Sequence, residues 1–221
     1  MLQTMEACDA QVGDDFHINP EEIEAKYFGV LTKLFNVARF ASQFDVPNDL
    51  DTVPGNLSIE DRWILSEFAE TMGRVENAWS SLDIYTATQA LKTFGTGILP
   101  SHWLEMSKSR LYDGDTNAAW TIHRIVRDLM SALSPVCPFF THHISSTLYT
   151  KSAVDVREFP TRTPEDPDLR KLTSLIEEFN GKTWRTKKDA GLPLNAPVSG
   201  IKIPEELEEF TSILTQMHKL E

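Results

Sequence analysis

The stretch that decides the fold is Asn19-Pro-Glu-Glu-Ile-Glu-Ala-Lys-Tyr-Phe-Gly-Val-Leu-Thr-Lys-Leu-Phe-Asn-Val-Ala-Arg-Phe-Ala-Ser-Gln-Phe44. At about 100° per residue, Ile23, Tyr27, Val30, Leu31, Leu34, Val37, Ala38 and Ala41 fall on one stripe, the signature of a core-facing helix. Asn19 is placed to cap it, Pro20 suits the first helical position, and Glu22 follows the cap by three as in a capping box. Lys33, Asn36, Phe40 and Gln43 fall together on the opposite side, with Arg39 on the shoulder. An aromatic framed by an amide, an amine and a guanidinium suits the stacking of an unpaired base and the holding of its phosphate. Against this stands a plainer reading, a solvated face whose Phe is covered by a neighbouring element.

Further helices follow. Asp45 to Asn56 reads as a turn-rich loop, and Ser58-Ile-Glu-Asp61 as a second helix start leading through Ile64, Phe68, Met72, Val75 and Trp79. Asp83 opens a third helix, in which Gly95-Thr-Gly97 and Pro100 predict a kink or break before it resumes through Trp103, Met106 and Leu111. A fourth runs from about Thr116 to Leu133, and Pro138 opens a fifth ending near Tyr149. The expectation is a mainly α fold, an antiparallel helical bundle over residues 19–150 behind a lead-in at 1–18. The period then changes. Ala153 to Pro160 alternates as a strand does, a polar helix covers roughly Pro164 to Asp189, and Ser199-Gly-Ile-Lys-Ile203 reads as a second strand before a helix carrying Leu207, Phe210 and Leu214. Residues 151–221 are therefore read as a small α/β module, possible truncation included.

Composition bounds the function. A hydrophobic fraction of 41% and a charged fraction of 24% describe an ordinary globular chain. No apolar run approaches a membrane span and no targeting leader is read, so a cytoplasmic chain without membrane contact is expected. Cys8 and Cys137 fit no metal spacing. The formal charge of -12 argues against a general nucleic-acid binder. Any such contact must be local, and base collects at Lys108 and Arg110, at Arg124 and Arg127, and at Lys182, Arg185, Lys187 and Lys188.

Residues that invite a catalytic or metal reading do not support one. Met106-Ser-Lys-Ser109 resembles a nucleotide-binding KMSKS loop, but Glu105 precedes it and the segment lies on a helix. His142 and His143 point about 100° apart on a helix, and His17, His102, His123 and His218 stand alone, so packing or surface roles are expected and no metal site. No nucleophile elbow is present. Trp184-Arg-Thr-Lys-Lys188, with Lys182, is the remaining cluster. An aromatic among cations suits RNA sugar and phosphate, and equally suits a helix C-terminus whose dipole favours cations.

Several segments resemble one family in order and spacing. Lys33-Leu-Phe-Asn-Val-Ala-Arg-Phe40 resembles the K-L-W-N-x-x-R-F helix of valyl-tRNA synthetases, and Asp61-Arg-Trp-Ile-Leu-Ser66 their D-R-W-I-L-S helix start. Trp103 to Tyr112 is similar to Y-L-E-x-x-K-x-R-L-Y, Leu133 to Thr141 to L-x-P-x-x-P-F-x-T, and Val154 to Pro160 to the S-V-x-x-x-x-W-P segment, with Phe159 for Trp. The resemblance is to the region of these class I enzymes that follows the catalytic domain. It implies an anticodon-binding bundle and a stem-contact module, with tRNA, specifically tRNA(Val), as partner. It implies that Phe40 and Lys33 meet the anticodon, and that the chain is a monomeric part of a valine–tRNA ligase. The catalytic residues, ATP and magnesium would then belong to a catalytic domain of the same polypeptide, with no cofactor in this region. Two alternatives remain at this point. One is the same region of an isoleucyl- or leucyl-tRNA synthetase; the other is a helical scaffold or protein-interaction domain without RNA binding. An open, positive or neutral concavity at Phe40 favours RNA, and a patch sealed by the acidic loop Asp45–Asp51 favours the scaffold.

Overall fold

The computed structural model describes residues 20–150 and 159–221, with residues 20–26 described by backbone alone. Helix α1 spans Pro20–Ala41 and buries Tyr27, Leu31, Leu34, Val37, Ala38 and Ala41, the stripe expected from its period. Its expected cap, Asn19, and the side chain of Ile23 lie outside the described residues. The helix ends three residues before Phe44, in a turn where Ser42 Oγ donates to Arg39 O at 2.8 Å. Helix α2, Ile59–Ser80, starts at Ser58, whose hydroxyl accepts from Asp61 N, and buries Trp63, Ile64, Leu65, Phe68, Met72 and Val75.

Helix α3, Ile84–Thr93, is capped by Asp83, which accepts from Thr86 N. Of the expected kink or break, the break does not occur, but the α-winding is interrupted where the glycines and Pro100 stand. The chain continues as a π-helical segment, Phe94–Trp103, directly into α4, Leu104–Tyr112. Pro100 lies inside this segment and has no N–H to give. The wider i→i+5 winding accommodates its ring where an α-turn would clash, so the proline changes the pitch and leaves the rod continuous. Gly95 explains why the segment can lie so near its neighbours. A Cβ there would stand 2.8 Å from Leu34 Cδ2 and 3.1 Å from Leu129 Cδ2. Gly95→Val is accordingly expected to destabilise the chain by about 1–3 kcal/mol through overpacking. A urea midpoint equal to wild type would show that the two leucines yield freely.

Helix α5, Thr116–Leu133, is capped by Asp115, which accepts from Asn117 N and Ala118 N. Helix α6, Pro138–Leu148, opens on Pro138. After residue 159 come α7, Pro167–Lys171, α8, Thr173–Asp189, a 3-10 turn, Glu205–Phe210, and α9, Thr211–His218. These later elements pack on the bundle, and Leu169, Ile176, Phe179, Leu207, Phe210 and Leu214 extend the same apolar core. Trp63 joins the parts, donating from Nε1 to Thr173 Oγ1 at 2.8 Å and meeting Phe210 edge-on.

The expected α/β module is corrected in part. Of the strand read over Ala153 to Pro160, residues 153–158 lie outside the described residues, and Phe159 and Pro160 are not in a strand. The strand read over Ser199 to Ile203 does not form, and the described residues contain no strand. A lone parallel bridge joins Val198 and Leu220. The alternation is real, since Ile201 and Ile203 pack partly against the core while Lys202 is exposed. Gly200 turns with φ +78°, and no ladder forms beside this extended run. Period 2 here reports an extended segment lying on helices.

Two buried ionic nodes fix the bundle. Arg110 donates to Glu60 Oε1 and Asp61 Oδ2, both at 2.7 Å, and to Asp115 Oδ2 at 2.9 Å, while Asp61 Oδ1 also accepts from Trp103 Nε1 at 3.1 Å. Arg124 pairs with Asp128 and donates to Leu50 O and Thr161 O, each at 2.8 Å. Arg127 pairs with Asp51 and Asp128. The basic residues at 110, 124 and 127 therefore serve the interior.

Candidate nucleic-acid interface

Positions 33, 36, 37 and 40 share one face of α1, and positions 101, 104, 105 and 108 share one face of the rod that crosses it. The two faces, closed by residues of the C-terminal elements, line a cleft of about 750 Å³. Lys33, Asn36 and Phe40 stand on one side of it, Ser101, Glu105 and Lys108 on another, and Trp184, Leu194, Asn195 and Met217 on the third. Lys33 and Asn36 are exposed. Phe40 is half-buried, its ring edge-to-face with Phe44 at 5.2 Å and Tyr112 at 6.1 Å. That pairing holds one side of the ring while Phe40 still lines the cleft. Lys108 pairs with Glu105, three residues back on the same helix. The ionisable lining is thus two lysines and one glutamate.

The acidic loop does not cover this site. Its backbone is tied to α5, with Asp49 O accepting from Trp120 Nε1 at 3.0 Å and Leu50 O from Arg124. None of Asp45 to Asp51 lines the cleft.

Two residues of the α1 face are not brought into the cleft. Arg39 lines a separate groove with Phe35, His143 and Leu148, because one residue step from Phe40 turns it toward α6. Gln43 lies beyond the end of α1, where helical phase no longer applies, and lines another depression beside Phe44 and Leu111.

The C-terminal cluster is also divided. Trp184 lines the cleft, whereas Lys182 lies in a depression with Thr186 and Lys202. Arg185 and Lys188 are exposed on α8. Lys187 requires correction as a candidate phosphate contact. It is fully buried, on the face of α8 that carries Asn180 and Thr183 inward. Its Nζ donates to Leu194 O at 2.8 Å and to His218 O at 2.7 Å. Burial, with the charge of Lys219 beside it, lowers its pKa from the usual lysine range. A lysine that satisfies interior carbonyls cannot also meet solvent phosphate.

A polar network that sequence reasoning missed lies behind Trp184. Asn180 Nδ2 donates to His102 Nδ1 at 2.9 Å, and His218 Nε2 donates to Asn180 Oδ1 at 2.7 Å. All three side chains are buried. Burial, reinforced by the charge of Lys187 and by His102, holds the His218 imidazole down to about 4, and burial lowers His102 as well. Both rings pack against Trp184, with centroids 5.7 Å away. No spacing announces this set, since His102, Asn180 and His218 come from three elements far apart in sequence. Met106 to Ser109, meanwhile, is helical, with Met106 and Ser107 buried.

The sequence profile of the anticodon-binding domain of tRNA ligases matches residues 61–203. The chain belongs to this family. As such a domain it is similar to the valine–tRNA ligase of Saccharolobus solfataricus, 34% identical over 198 residues, covering 88% of this chain and 23% of that protein. The valine–tRNA ligase of Methanothrix thermoacetophila is 33% identical over 184 residues, covering 80% and 20%. That of Sulfurisphaera tokodaii is 29% identical over 210 residues, covering 93% and 26%. This anticodon-binding domain thus spans about a quarter of the length of the curated relatives it matches. No helix among its described residues is long and apolar enough to cross a membrane.

Proposed function

We propose that this domain recognises the anticodon of a tRNA, that the tRNA is tRNA(Val), and that recognition takes place in the cleft beside Phe40. ATP-dependent aminoacylation would be performed by the part of a valine–tRNA ligase that the chain does not span, in a cytoplasmic, monomeric enzyme. The observation that carries this reading is the convergence of Lys33, Asn36 and Phe40 with Lys108 and Trp184 around one open concavity that the acidic loop leaves free. Loop bases of RNA are recognised unstacked, on aromatic faces and by polar groups at their edges, with cations on the backbone. The cleft offers each of these groups. Arg39, Gln43, Lys182, Arg185 and Lys188, which lie outside the cleft, are assigned to backbone flanking the loop.

The test is binding of a tRNA(Val) anticodon stem-loop, measured by anisotropy at low and moderate salt. Stacking of a base on one aromatic is worth about 1–3 kcal/mol, so Phe40→Ala is expected to weaken binding roughly fivefold to over a hundredfold. Lys33→Ala is expected to weaken it and flatten the salt slope. In the full-length ligase Phe40→Ala should lower tRNA charging and leave ATP–pyrophosphate exchange unchanged. Its stability should fall by less than the roughly 3–5 kcal/mol of a fully buried Phe, because the ring is half-buried. Equal affinity of Phe40→Ala and wild type for the stem-loop would refute the site.

A further inference from the structure

We infer that Trp184 is a second base-stacking wall, so that one unpaired anticodon nucleotide is held between α1 and the C-terminal helices rather than laid on α1 alone. This rests on the anticodon reading of the cleft and goes beyond it, because it makes the C-terminal elements part of base recognition. The volume of about 750 Å³ lies in the range of roughly 300–1,000 Å³ typical of small-ligand pockets, suited to a splayed nucleotide and too small for a duplex. Phe40 and Trp184 line it from different elements, with Leu194 and Met217 as apolar lining and the Asn195 amide available to a base edge.

The indole is built in rather than loosely attached. It packs tilted by 30° on the His102 ring and edge-on to the His218 ring, and both imidazoles are locked through Asn180. The remaining part of the half-buried Trp184 lines the cleft. Lys187 then acquires a role consistent with its burial. By donating to Leu194 O and His218 O it ties the loop that carries Leu194 and Asn195 to the end of α9, beside Met217. Lys187 is a positioning residue for this wall, whereas Trp184 is the contact.

The test uses the chain and stem-loops carrying 2-aminopurine at each anticodon position in turn. Wild type is expected to change the emission at one position on binding. Trp184→Leu, which keeps bulk and removes the aromatic face, should weaken binding roughly fivefold to a hundredfold and abolish most of that change. Trp184→Phe should retain both, and neither should alter the salt slope, since no charge is removed. Lys187→Met should weaken binding and blunt the same emission change without flattening the salt slope, as a buried positioning group would. Wild-type affinity and emission in Trp184→Leu, with loss in Phe40→Ala, would overturn the second wall and leave the α1 site intact. A flattened salt slope in Trp184→Leu would overturn it in favour of backbone contact. Absence of binding by wild type would refute the anticodon reading itself. Circular dichroism checks folding of each variant, and if Trp184→Leu does not fold, Trp184→His decides between an aromatic face and mere bulk: reduced but retained emission change supports stacking, and none opposes it.

Discussion

Arg110→Met is expected to destabilise the chain by about 3 kcal/mol. Its guanidinium is the shared partner of Glu60, Asp61 and Asp115, and the Asp61 side chain is completely buried. Removing one partner of a buried pair typically costs roughly 3–5 kcal/mol because the other charge is left without compensation. Arg110 retains some solvent contact, which places the expectation at the lower end. Asp61 would keep only the Trp103 indole N–H and its helix-terminal position. Arg110→Lys should recover little, since an ammonium cannot span carboxylates that a planar fork reaches together. Urea unfolding of both variants, with Asp61→Asn completing a double-mutant cycle, measures the coupling. A loss below about 1 kcal/mol would place this node among ordinary surface pairs.

Acidification is expected to remove a comparable amount through His218. Its pKa is held at about 4, against an ordinary histidine value of 6.5. Above pH 6.5 the ring is neutral in both folded and unfolded chains, and the network makes its full contribution. As pH falls from 6.5 toward 4, the unfolded chain takes up a proton that the folded chain refuses, and stability declines. At about 1.36 kcal/mol per pH unit, the whole window corresponds to roughly 3 kcal/mol. The lowered pKa values of His102 and His123, both caused first by burial, add losses of the same sign. Comparing urea midpoints of wild type and His218→Gln at about pH 7 and about pH 4.5 separates this loss from carboxylate titration. Parallel losses in the two proteins would mean that His218 titrates as an exposed histidine.

The legible parts of the fold are those set by local chemistry. Ser58 and Asp83 cap the helices they precede, and the α1 stripe is buried, because caps and 3.6-residue periods act within a few residues. Pro100 marks the interruption of the α-winding because its lost N–H is legible, whereas the π winding that absorbs it is not. The Ser199 to Ile203 alternation marks an extended segment, whereas a strand needs a partner that periodicity cannot supply. At the site, Lys33, Asn36 and Phe40 are legible from one helix face. Lys187 is not, because a charged residue looks alike in sequence whether it meets water or interior carbonyls. Asn195, Lys108 and the His102–Asn180–His218 set enter only through the packing of distant elements.

The inward turn of Arg110, Arg124 and Lys187 also bears on timing. With a formal charge of -12, the domain as a whole repels an approaching polyanion, against the local attraction of its two cleft lysines, and both fade beyond about 8 Å, the Debye length at physiological salt. Added salt relaxes that repulsion and quickens encounter, while in the cleft the same ions compete with Lys33 and Lys108 and shorten the stay. Both steps of an exchange cycle then accelerate together. On the proposed reading of the cleft, such a surface favours rapid sampling and release of RNA over long residence.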